Sequence, residues 1–227
     1  MKLFCFPYAG GASNAFLPWK PLLAPELELD LLELAGRGRR LSDSLYETLD
    51  QAVDDLYPTI IQAAGESPFI LFGHSMGALI AYELAVKLKT AGHKGPDHIF
   101  FSGLRAPHLH WEEKSIYHLN DAEFTKEILE LGGTATDIFQ YPQLAKIYMP
   151  ILRADFKITN TYSYIEHEPL DCDFTVIYGD QEFAPPTDIE AWRTYTTGKC
   201  RIIPFPGGHF FINEHREQII TLLNKMA

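Results

Sequence analysis

The stretch PFILFGHSMGALIAYELAVKLKTAG (68–92) constrains the fold of this chain more than any other. FILFG (69–73) is a short apolar run of the kind that forms a buried strand. MGALIAYELAVKLKTAG (76–92) has apolar residues at helical spacing, lysines near its end and a closing glycine. GHSMG (73–77) joins the two with no room for a loop. A serine in GxSxG, directly after a strand and directly before a helix, sits on a tight elbow where larger flanking residues would clash. Ser75 therefore reads as a nucleophile; the plainer alternative is a helix N-cap serine followed by glycine.

The rest of the chain repeats that alternation. LFCFP (3–7), LELDLLEL (27–34), HIFFSG (98–103), FTVIYG (174–179) and RIIPFPGG (201–208) are further apolar runs separated by helical patterns. Such spacing implies βαβ units and a mostly parallel central sheet flanked by helices, an α/β fold. The first run is short enough for a hairpin partner or an edge strand. SDSLYETLDQAVDDLYPTIIQAA (42–64), with its serine cap and early acidic residues, reads as a helix, and the last helix is expected to start from Asn213 as N-cap.

Residues 105–168 break the rhythm. They hold no convincing strand, but DAEFTKEILELGG (121–133) and YPQLAKIYMPILRADFKIT (141–159) read as helices. Helices inserted between two sheet strands commonly form a lid over the sheet's carboxyl edge, where open α/β sheets carry their sites. At 227 residues the chain is expected to form a single domain, 1–227, with 105–168 as its inserted lid.

A formal charge of −11 argues against a general affinity for nucleic acid or anionic membrane, both of which need basic surface. Cys5, Cys172 and Cys200 are odd in number and lack metal-ligand or CxxC spacing, which disfavours a disulfide scaffold or a zinc site. The opening MKLFCFPYAGGAS is interrupted at Pro7 and reads as a strand rather than a signal peptide, and no run of ~18 apolar residues follows. The expectation is a cytoplasmic protein without metal or cofactor.

A serine hydroxyl is a weak nucleophile and needs a base within hydrogen-bond reach. In folds with this elbow the chain order is serine, acid, histidine. Of the nine histidines, only His209 and His215 follow the acidic candidates, and His215 lies in the pattern of the last helix. His209, in a loop after Pro206-Gly207-Gly208, is the expected base. HLH (108–110) lacks a third ligand at metal-binding spacing and is read as lid surface. The acid should come from a strand end, and VIYGDQE (176–182) offers Asp180 and Glu182 together. Two amides are needed to hold an oxyanion. Met76, after the nucleophile, supplies one; the loop FPYAGGAS (6–13) supplies the other from Ala9 or Tyr8.

FPYAGG, AGRGRR (35–40), FGHSMGA (72–78), SGLRAPH (102–108), HLNDAEF (118–124), LGGT (131–134), LRADF (152–156) and GGHFF (207–211) together resemble the type II thioesterases that accompany nonribosomal peptide and polyketide synthases. The resemblance spans nearly the whole chain in order and spacing. It implies an α/β-hydrolase fold with a helical lid and hydrolysis of acyl thioesters held on the phosphopantetheine arm of carrier proteins. It further implies Ser75 as nucleophile, His209 as base and the Met76 and Ala9 amides as oxyanion donors, with no cofactor.

The chain departs from the family in two places. Ala35 stands where the family usually has proline. After the fifth strand the family typically has GxxD, its last residue being the catalytic aspartate; GDQE here puts Glu182 at that position, with Asp180 as the alternative acid. A monomer is expected, docking its carrier through a local basic or apolar patch to which Arg105, Lys114 or Lys146 could contribute. A carboxylester hydrolase or acyltransferase would use the same triad, and a non-catalytic binding module would usually have lost Ser75 or His209.

Overall fold

The computed structural model describes residues 1–112, 115–132, 137–182 and 185–227, leaving aside the side chains of 110–112 and 137. All six apolar runs form strands: β1 Lys2–Phe6, β2 Glu28–Leu31, β3 Phe69–His74, β4 His98–Ser102, β5 Asp173–Gly179 and β6 Cys200–Phe205. They pair in the order β2-β1-β3-β4-β5-β6, and every pairing is parallel.

β1 is therefore neither an edge nor a hairpin partner. Leu3, Phe4, Cys5 and Phe6 are fully buried between β2 and β3. The edge on that side is β2, shorter than its apolar run, with charged residues of the kind that blunt strand edges. Its Glu28 and Asp30 lie 3.1 and 3.5 Å from Lys2 Nζ across the pair.

The helices are α1 Leu49–Ala64, α2 Met76–Thr90, α3 Asp121–Leu131, α4 Asp137–Gln140, α5 Pro142–Asn160, α6 Pro186–Glu190, α7 Phe211–Glu214 and α8 Arg216–Leu223. Side chains alternate across the sheet as a strand's period of two requires. Phe69 and Leu71 pack with α1 and α2 on one face, in a cluster that also holds Trp192. Ile70 and Phe72 pack on the other face with Phe16, Trp19 and α8. Trp192 stacks on Phe101 with centroids 4.0 Å apart and donates its indole N–H to the Leu104 carbonyl.

Two helix starts differ from the sequence expectation. α1 begins at Leu49, capped by Thr48, whose hydroxyl accepts from the Gln51 amide at 3.3 Å. Tertiary bonds draw the preceding residues away from the helix: Tyr46 accepts from the Ala35 amide at 3.1 Å and donates to Asp55. The last helix is broken in two, with Asn213 inside α7 rather than capping. At the break, His215 turns its ring to the Pro206 carbonyl at 2.9 Å.

Between β4 and β5 the described residues form helices and no strand. Ile116, Phe124, Ile128 and Leu152 make a small apolar cluster of their own there, while Ile158 at the far end of α5 joins the main core. All three cysteines are free: Cys5 is buried and the other two half-buried. Burial raises each thiol pKa, that of Cys172 to about 12 and that of Cys5 well above its ordinary value. No helix among the described residues is long and apolar enough to cross a membrane.

Candidate active site

The winding of the sheet reverses next to β1. From β1 the chain crosses to β2 on one side, and from β3 to β4 on the other, so the loops leaving β1 and β3 diverge and open a crevice at their carboxyl ends. Ser75 stands on one lip of that crevice, and Tyr8 and Ala9 on the other.

Ser75 has φ 55° and ψ −120°, the one non-glycine residue with positive φ among those described. Such a conformation costs on the order of 1–3 kcal/mol and persists only where the surroundings impose it. Its neighbours show how. A Cβ on Gly73 would stand 2.1 Å from the Gly77 carbonyl oxygen, and one on Gly77 would stand 2.1 Å from that of Phe6. The elbow closes only because both positions lack side chains. The Ser75 amide is also tied to the Ser102 carbonyl of β4 at 2.7 Å.

His209 arrives from the loop after β6. The two acids after β5 play different structural parts. Asp180 closes the loop pair, its amide donating to the Phe205 carbonyl at 2.8 Å and its carboxylate accepting from the Gly207 amide at 3.0 Å. Glu182 turns inward: one carboxylate oxygen accepts from the Gly179 amide at 2.9 Å, and the other lies 3.3 Å from His209 Nδ1. The structure thus brings His209 to Glu182 and not to Asp180. Both partners are largely shielded, the Glu182 side chain 13% exposed and that of His209 24%.

Ser75, Met76, Ala9, Glu182 and His209 all line one cavity of about 590 Å³, within the usual range for small-molecule sites. The Met76 amide opens α2 beside Ser75. Of the opposing loop, the Gly11 amide bonds the Tyr8 carbonyl at 2.8 Å and the Gly10 amide bonds Asp155, while the Ala9 amide has no acceptor among the described residues. The far wall is mostly apolar, built from Ile128 and Leu131 of α3 and Leu152 and Phe156 of α5, with Glu127 and Glu130 of α3 and Thr159 and Asn160 of α5 also reaching the cavity.

Sequence reading assigned no part to two groups around this cavity. His74 lies beneath His209, ring centroids 5.0 Å apart, with Nδ1 2.8 Å from the Ser102 hydroxyl and Nε2 buried without a hydrogen-bond partner among the described residues. Burial first, and His209 second, hold its pKa well below the ordinary value, so it is a neutral floor for the imidazole above. Arg37 and Asp155 form a buried ion pair against the Ala9–Gly11 turn. His108, read as surface, is half-buried with Nδ1 2.6 Å from the Tyr195 hydroxyl; the His110 side chain lies outside the described residues, as does Lys114.

The chain is similar to known proteins over nearly its whole length. A family model for the thioesterase domain matches residues 1–226. Gramicidin S biosynthesis protein GrsT of Aneurinibacillus migulanus is 34% identical over 226 residues, covering 99% of this chain and 88% of that protein. Among solved structures, ClbQ from the colibactin NRPS/PKS pathway is 34% identical with a TM-score of 0.93, over 99% of this chain and 95% of its own. The type II thioesterase BorB from the borrelidin biosynthetic cluster is 31% identical with a TM-score of 0.89, over 99% and 91%. With its parallel sheet, flanking helices and serine elbow in the α/β-hydrolase arrangement, the chain belongs to the thioesterase family.

Proposed function

We propose that this enzyme hydrolyses acyl thioesters from the phosphopantetheine arms of carrier proteins in nonribosomal peptide or polyketide synthesis, freeing arms that hold a wrong or stalled acyl group. The observation that carries the reading is the convergence of a strained serine, a histidine and that histidine's carboxylate partner on one cavity whose far wall is mostly apolar. Relatives from such pathways supply the substrate class.

In this mechanism Ser75 Oγ attacks the thioester carbonyl while His209 Nε2 takes its proton. Glu182 holds His209 Nδ1–H, which fixes the tautomer and stabilises the imidazolium. The Met76 and Ala9 amides hold the oxyanion. Collapse of the tetrahedral adduct breaks the C–S bond. The departing thiol has a pKa near 8.5, so the step depends on a proton from His209 less than expulsion of an amine would. Water, deprotonated by the same imidazole, then attacks the acyl-serine and releases the acid and Ser75.

Residues 105–168 act as the lid, with α3 and α5 enclosing the acyl group. The carrier docks on the outer side of α5, where Lys146 is exposed beside the exposed apolar side chains of Tyr141, Leu144 and Ile147. Carrier proteins are commonly acidic, which suits the lysine. Arg105 contributes at the cavity itself, 3.6 Å from Asp188. Three free thiols suit a reducing cytoplasm, and the enzyme works as a monomer.

The test is hydrolysis of a panel of acyl groups loaded on a holo carrier protein, run beside the same acids as simple esters and beside Ser75→Ala. Carrier-bound thioesters should be turned over faster than esters, and the variant should be inactive. Turnover unchanged in Ser75→Ala, or a preference for the esters, would overturn the reading.

A further inference from the structure

Asp155 lies on α5, 118 residues from Arg37, and both side chains are nearly inaccessible, at 2% and 3%. The pair is bidentate, with Arg37 Nη1 2.6 Å from Asp155 Oδ2 and Nη2 2.7 Å from Oδ1. Oδ2 also accepts the Gly10 amide at 2.7 Å, and Arg37 Nη1 donates to the Gly11 carbonyl at 3.0 Å. Both ions therefore grip the same turn of backbone, one by its N–H and the other by its C=O.

Stability alone is a poor reason for such an arrangement. Desolvating two charges costs several kcal/mol each, and well-packed apolar replacements of buried pairs are often equally stable or more so. What the pair supplies is direction. A charge-assisted bond fixes the plane of the Ala9–Gly10 peptide, and the Ala9 N–H belongs to the peptide just before it. The other end of the loop is held likewise: the Ser13 amide and hydroxyl both donate to Glu33, each at 2.9 Å. Gly10 also lies flush on α5, since a Cβ there would meet Leu152 at 2.4 Å.

We propose that the Arg37–Asp155 pair is a positioning device for the oxyanion loop, worked from the cavity-wall helix. Leu152, Phe156 and Thr159 line the cavity on the same turns of α5 that carry Asp155. An acyl group seated against that wall thus bears on the rigid turn that aims the Ala9 amide at the carbonyl oxygen. Correct seating and activation of the carbonyl are coupled through one carboxylate. This inference rests on the assignment of Ala9 as an oxyanion donor to a Ser75 nucleophile.

The experiment uses Asp155→Asn, which keeps shape and an acceptor but leaves Arg37 uncompensated, and Arg37→Lys, which keeps charge but loses the fork. Three readouts are taken on the full chain: kcat on an acyl-pantetheine, the rate of fluorophosphonate addition to Ser75, and the Kd of an S-alkyl pantetheine thioether that has no carbonyl. Losing an oxyanion donor outright costs about 10²–10³ in rate, and displacing one through its neighbour should cost about 10–100-fold. That loss is expected equally in kcat and in phosphonyl addition, with the thioether Kd within about threefold of wild type. Unchanged rates in folded Asp155→Asn, or a rate loss matched by the loss in thioether binding, would overturn the proposal. If Asp155→Asn does not fold, Arg37→Lys decides by the same criteria; if neither folds, the pair is structural and the proposal falls. Wild-type enzyme that takes no label at Ser75 would instead defeat the underlying assignment.

Discussion

Replacing Glu182 by glutamine exchanges one oxygen for an NH2 group and tests which acid serves the imidazole. The wild-type carboxylate has two tasks, accepting from the Gly179 amide at 2.9 Å and from His209 Nδ1 at 3.3 Å. A glutamine has one oxygen for both. The shorter backbone bond keeps it, which turns the NH2 group toward Nδ1. The ring must then hold its proton on Nε2, where Ser75 needs a lone pair, and the carboxylate that stabilised the imidazolium is gone. Two unit charges about 4 Å apart at an effective dielectric near 20 attract by about 4 kcal/mol, equivalent to about 10³ in rate.

Partial exposure of His209 trims that figure, so kcat should fall about 10²–10³-fold. Stability should change by less than about 1 kcal/mol, because the backbone bond survives. Asp180→Asn keeps its acceptor for the Gly207 amide and should stay within about threefold of wild type. The assay is thiol release from an acyl-pantetheine, with thermal melts of all three proteins. Full activity in Glu182→Gln beside a folded but inactive Asp180→Asn would refute the reasoning.

Gly77→Ala should cost at least about 3 kcal/mol or prevent folding, because its Cβ would stand 2.1 Å from a strand carbonyl; Gly95→Ala, which meets nothing within 4 Å, should be neutral within about 0.5 kcal/mol in urea melts. Thr48→Ala should lose about 0.5–1 kcal/mol as the true cap of α1, and Ser42→Ala should not, a difference chemical denaturation resolves. His74 and His98 have pKa values held below the ordinary histidine range, chiefly by burial. The unfolded chain then binds protons below pH ~6.5 that the folded chain refuses, so stability is full above that pH. It should decline as pH falls below it, by at most about 1.4 kcal/mol per pH unit for each group and only down to that group's folded pKa; equal urea midpoints at pH 7.5 and 5.5 would contradict this.

The six strands were legible because buried parallel strands are written as continuous apolar runs. The elbow was legible because GHSMG meets its strand and helix within five residues. Where a boundary depended on distant partners, local reading failed. Ser42 looks like a cap, but Tyr46 is held by Ala35 and Asp55, so the helix waits for Thr48. Asn213 looks like a cap too, but His215 reaches back to Pro206. β1 has the length of an edge strand, and nothing in five residues says that its partners come from either side. Which of Asp180 and Glu182 meets the imidazole depends on the turn itself: Asp180 is held by the Gly207 amide, and two residues along the carboxylate of Glu182 reaches His209. Arg37 and Asp155 were visible only inside the family motifs AGRGRR and LRADF, and no local pattern joins residues 118 positions apart.

A thioester is as open to a cysteine thiolate as to an activated serine, and an enzyme acting as proposed, freeing pantetheine thiols, works amid both. With Cys5, Cys172 and Cys200 buried or half-buried and their pKa values raised, this chain presents almost no thiolate at neutral pH. Acyl groups are not drawn onto side chains from which no imidazole could release them, and freed arms find little with which to form mixed disulfides. The enzyme is silent in its own assay as well: a thiol-reactive dye added during turnover counts the liberated arms against a background near zero.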